Sequence, residues 1–209
     1  IEWYSLQTED PEGRIEVEKD YQFEKSANKI ISLTYNQQLE KLYIATDGGE
    51  FFMFPIKAET NIEEDDEHEE KEDKEEAQPE LEDDKLITAE VEEVGTSHSK
   101  GVTFLKEIPK TSYLISAGLD GKVLVWNGFE GKIIGQYISE SDITCGDISP
   151  DGKILVLGTT QSCIKVFDIT ERLAPRLLQI RRIFKKDKEI TQVAFSPDGS
   201  LIAVTGHSK

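Results

Sequence analysis

Apolar positions along this chain come in short runs rich in Val, Ile, Leu and aromatic residues, punctuated by turn-forming residues. Ile143–Gly158 has a near copy 47 residues on, at Ile190–Thr205. Each copy is an apolar run, a Ser-Pro-Asp-Gly turn (149–152 and 196–199) and a second apolar run. Pro presets φ for the turn, Asp and Gly tolerate the unusual φ values that follow, and the flanking runs have strand length and strand composition. A third run ends in an aromatic residue: Lys122–Trp126 and Cys163–Phe167, whose aromatics lie 41 residues apart. Glu50–Phe54 is an earlier case, 72 residues before Trp126. A fourth run closes each unit: Arg14–Val17, Leu86–Val91, Lys132–Tyr137 and Leu177–Ile180.

Charge explains the one irregular spacing. Residues 58–84 hold sixteen Asp or Glu and two Lys, a net −14 of the chain's total −18. Only Ile62 and Leu81 are large apolar residues there, so the stretch buries too little to offset its ordering entropy. Setting its 27 residues aside reduces the 72-residue spacing to 45 and restores the period. The run therefore predicts an acidic low-complexity loop insertion between the third and fourth strands of its unit. Four short strands per unit at this period predict an all-β fold of β-propeller blades. The expected units are the end of a preceding blade at 1–27, a blade at 28–95 carrying the insertion, blades at 98–140 and 142–185, and the start of another at 188–209. Three full blades and two half blades imply further blades on both sides, because propellers close with about four to eight.

The units resemble WD40 repeats. That family's structural tetrad is a His before the first strand, a Ser or Thr in the second, an Asp in the following turn and a Trp in the third. His98, Ser116, Asp120 and Trp126 match all four positions. Gly48 and Gln161 stand where the Asp would be in the neighbouring units, and Phe54 and Phe167 replace the Trp. The resemblance implies a hydrogen-bonded brace within one blade. The same His, Ser and Asp are also the residue types of a hydrolytic triad, and the family pattern favours the structural role.

Composition narrows the functional classes. The chain has 209 residues, 37% of them hydrophobic, enough for a folded core. Its acidity argues against nucleic-acid and anionic-membrane contact. No apolar run approaches the roughly 20 residues needed to span a bilayer, and Ile1-Glu2-Trp3-Tyr4 shows no signal-peptide pattern. Cys145 and Cys163, 18 apart, fit strand packing in a reducing compartment better than a metal or redox pair. No phosphate-binding loop is present, so neither cofactor, metal nor small-molecule substrate is expected. The acidic run lacks the ligand spacing of a calcium loop.

A basic cluster runs the other way. Arg172, Arg176, Arg181, Arg182, Lys185, Lys186 and Lys188 fall within 17 residues holding one acid, Asp187. It is a candidate site for an acidic partner, or a charged fringe that protects an edge strand. The irregular connections Lys106–Ser112 and Asp168–Pro175 resemble those of large cilia- and flagella-associated WD-repeat proteins. That resemblance implies a non-enzymatic scaffold of the axoneme that tethers inner-arm dynein, with dynein, tubulin or sister WD-repeat subunits as partners. The alternative is a scaffold of the nucleus or nucleolus, in ribosome biogenesis or chromatin, whose acidic loop binds basic proteins.

Overall fold

The computed structural model describes residues 2–4, 11–15, 29–55, 86–87, 92–96, 98–185 and 188–208. The acidic insertion at 58–84 and Lys186 lie outside the described residues. The strands run β1 (Glu2–Tyr4), β2 (Pro11–Ile15), β3 (Ile30–Asn36), β4 (Lys41–Thr46), β5 (Glu50–Pro55), β6 (Leu86–Ile87), β7 (Glu92–Thr96) and β8 (Val102–Glu107). They continue as β9 (Tyr113–Gly118), β10 (Lys122–Asn127), β11 (Lys132–Ile138), β12 (Ile143–Ile148), β13 (Ile154–Thr159), β14 (Cys163–Asp168), β15 (Arg176–Arg182), β16 (Lys188–Phe195) and β17 (Ile202–Ser208). No helix occurs among the described residues, so none is long and apolar enough to cross a membrane.

Two compact units are present: Ile1–Tyr21 with Ile56–Ala89, and Gln22–Pro55 with Glu90–Lys209. In the first, β1 pairs antiparallel with β2, and β2 pairs parallel with β6. The second holds three four-stranded antiparallel sheets, β3-β4-β5-β7, β8-β9-β10-β11 and β12-β13-β14-β15, followed by the β16-β17 pair.

One expected strand is corrected. The apolar run Leu86–Val91 does not close the first four-stranded sheet. Leu86 and Ile87 pair with Arg14 and Ile15, while Glu92–Thr96 lies against β5. The reason is visible in the other sheets, where the outermost strands β11 and β15 are mostly exposed. An outer strand is held by backbone pairing as much as by apolar content, so here the less apolar Glu92–Thr96 takes the place beside β5.

The core lies between sheets. Tyr43, Ala45, Phe51 and Met53 of one sheet pack against Val102, Leu105, Leu114, Leu124 and Trp126 of the next. Phe104, Ile115, Val123 and Val125 then meet Ile143, Leu155, Leu157 and Phe167. Val156 and Ile164 meet Ile190 and Val193. The first strands β3, β8, β12 and β16 lie side by side in order. Hydrogen bonds cross from each to the next: Thr103 Oγ1 donates to the Ile143 carbonyl at 2.8 Å, and Thr144 Oγ1 to that of Ile190. Asp147 joins three sheets, accepting from Lys106 Nζ at 2.6 Å and from the Phe195 backbone N–H at 2.7 Å.

Turns lock the stack from one end. Gly49, Gly121 and Ser162 occupy the same position after the second strand, all with positive φ (86°, 73° and 63°). A Cβ on Gly121 would stand 2.6 Å from the Ser139 carbonyl oxygen, in the linker to the next sheet. Ser162 carries a side chain there and uses it, accepting from Lys188 N–H and donating to Lys188 C=O. By contrast, a Cβ on Gly199, with φ of 72°, would meet nothing closer than Pro150 Cδ at 3.4 Å. Gly121→Ala should cost about 3 kcal/mol and Gly199→Ala about 1 kcal/mol, because only the first adds a backbone clash to left-handed strain. Urea unfolding of the two variants measures the difference.

Candidate functional site

The structure brings the four tetrad residues together. His98 precedes β8, Ser116 lies on β9, Asp120 in the β9–β10 turn and Trp126 on β10. His98 Nδ1 is 3.0 Å from Asp120 Oδ1, and His98 Nε2 is 2.8 Å from Ser116 Oγ. Trp126 Nε1 donates to Ser116 Oγ at 2.9 Å. Asp120 also accepts from the backbone N–H groups of Ser99 (2.9 Å) and Lys122 (3.0 Å). These distances admit one complete proton arrangement with a neutral imidazole. Nδ1–H donates to the carboxylate, Nε2 accepts the Ser116 hydroxyl proton, and Ser116 Oγ accepts the indole N–H.

The connectivity is that of a Ser-His-Asp triad, but its surroundings oppose nucleophilic chemistry. Ser116 is 0% exposed, His98 2% and Trp126 1%. One of the two lone pairs of the serine oxygen is occupied by the indole N–H. Burial pushes the His98 imidazole below its ordinary value, and the Asp120 hydrogen bond only partly offsets that. Burial pushes Asp120 up, yet the hydrogen bonds from His98, Lys122 and Ser99 together hold it below the ordinary carboxylate value. The indole ring stacks on Phe51 of the preceding sheet, with centroids 4.3 Å apart. The four residues therefore join the two halves of their own sheet to the inter-sheet core.

The next sheet solves the same position differently. There Leu157, Gln161 and Phe167 stand where Ser116, Asp120 and Trp126 stand, and Ser139 takes the place of His98. Lys165 replaces the apolar Leu124 on the third strand and donates from Nζ to Ser139 Oγ at 2.6 Å. Ser139 Oγ in turn donates to the Ser141 carbonyl at 2.9 Å. Burial lowers the Lys165 ammonium below its usual value. No motif marks this second brace; a lysine inside an apolar strand run was the only signal for it.

The predicted basic site is divided. Arg172 is committed internally: its guanidinium donates to the carbonyls of Gly152 and Ile169. Arg176 pairs with Asp168 at 3.0 Å. Both sit at one end of β15, beside an open groove of about 620 Å³ lined by Asp168, Thr170, Glu171, Ala174, Pro175 and Arg176. The Asp168 carboxyl is held at about 2 by hydrogen bonds from Thr170 and Arg176. Arg181, Arg182 and Lys185 are exposed at and beyond the opposite end of the strand. Lys188 belongs to the next sheet, with Nζ 5.5 Å from the centroid of the Phe184 ring. Cys145 and Cys163 are free thiols on different strands, and no group of metal-ligating side chains occurs among the described residues.

Radially ordered four-stranded antiparallel sheets, packed face to face with first strands adjacent, define a β-propeller type of fold. The WD domain, G-beta repeat family matches residues 91–127 and 179–209. The two matched segments are WD40 repeats, and the sheets share the fold of a WD40 β-propeller. Among solved structures it is similar to the C-terminal WD40 domain of Sif2, with a TM-score of 0.65 at 16% identity, covering 97% of this chain and 48% of that one. It is also similar to the computationally designed Ika8 protein, with a TM-score of 0.58 at 20% identity, covering 88% of this chain and 44% of that one. Among curated proteins it is 29% identical over 109 residues to pre-mRNA-processing factor 19 homolog 2 of Arabidopsis thaliana, covering 51% of this chain. It is 35% identical over 72 residues to an uncharacterised WD repeat-containing protein of Schizosaccharomyces pombe, covering 34% of this chain. The matches span 20% and 18% of those relatives' lengths.

Two outcomes test the brace. Ser116→Ala leaves the buried indole N–H without its acceptor and should cost about 1–3 kcal/mol in chemical unfolding. Acid should also weaken the fold. The folded His98 value lies below 6.5, so as pH falls below 6.5 the unfolded chain gains a proton that the native site refuses, and stability declines. Asp120 adds a further loss only when pH falls below 3.8 towards its lowered folded value. Between about pH 7 and pH 5, the melting temperature of the wild type should drop more steeply than that of His98→Gln.

Proposed function

We propose that this chain is part of a non-enzymatic WD-repeat scaffold that binds other proteins. The observation that carries this reading is the tetrad itself. Among the described residues, the set with hydrolytic connectivity is buried and closed by Trp126, and it serves to stiffen a blade. Stiff blades carry their loops and outer strands as fixed docking surfaces, and the WD40 fold generally serves as such a scaffold.

The setting we favour is the axoneme of a cilium or flagellum, in an assembly that tethers inner-arm dynein. Support for it comes from the style of the Lys106–Ser112 and Asp168–Pro175 connections. Its partners there would be axonemal dynein, tubulin or sister WD-repeat subunits. A nuclear scaffold is the second reading, with the acidic run at 58–84 engaging basic proteins. The name of the plant relative, a pre-mRNA-processing factor homologue, favours that setting.

Co-purification with a tagged chain, with and without residues 58–84 and at low and high salt, separates the two. The first reading expects dynein and tubulin in the eluate. Chromatin, ribosome-assembly or pre-mRNA-processing proteins in their place would establish the second. Loss of basic partners on deleting 58–84, with the melting temperature unchanged, would assign the acidic run as their contact.

A further inference from the structure

We draw no further inference here: the strongest candidate, the groove of about 390 Å³ between the Ser-Pro-Asp-Gly turns at 149–152 and 196–199, lined by Ile154 and Phe195, carries nothing because its carboxylates, Asp151 and Asp198, are each held by hydroxyl and backbone N–H groups of their own turn, and nothing in the structure shows what covers it.

Discussion

Face-to-face packing between adjacent sheets is the constraint on which the rest of this molecule depends. Each described core cluster straddles two sheets, so no sheet buries its own apolar face alone. The stack of Trp126 on Phe51 is one such contact, joining rings on the third strands of neighbouring sheets. Where a sheet face has no neighbour in its compact unit, apolar side chains stay exposed, as Ile31, Leu33 and Tyr35 do on β3. Turns with left-handed residues and hydrogen bonds between first strands then fix the spacing that the apolar contacts require.

Burial between sheets constrains the polar groups more than the apolar ones. A donor or acceptor trapped there must find its partner locally or cost stability. Two solutions stand side by side. One sheet uses His98, Ser116, Asp120 and Trp126, all neutral or internally compensated. The next uses Lys165 reaching to Ser139, which places a cation against a serine pair. Both tie the incoming linker to the body of the sheet, and neither leaves a reactive atom open to solvent.

Much of this was legible in the sequence because the repeat is written in turn chemistry. The Ser-Pro-Asp-Gly turns fold as their composition dictates: Gly152 and Gly199 have positive φ, and Ser149 and Ser196 donate to Asp151 and Asp198. The tetrad was legible because four residue types at fixed offsets are needed to close one hydrogen-bond chain. The fourth strand at Glu92–Thr96 was hidden because, unlike β11 and β15, it holds a single large apolar residue, Val94, while a richer apolar run lies just before it. The internal use of Arg172 was hidden for a related reason: charge predicts attraction to solvent or partner, while the guanidinium here caps two carbonyls of a turn and a connection. Lys165 was hidden because its partner is supplied by a linker 26 residues earlier.

The central claim is that His98, Ser116 and Asp120 brace a blade and perform no hydrolysis. Incubating the folded chain with a fluorophosphonate probe, which labels only activated serine nucleophiles, tests it most directly. With Ser116 beneath Trp126 and its oxygen hydrogen-bonded to the indole, no label should appear on that residue. Stoichiometric labelling of Ser116 in the folded chain, abolished by His98→Gln, would contradict the account and make the tetrad a catalytic site.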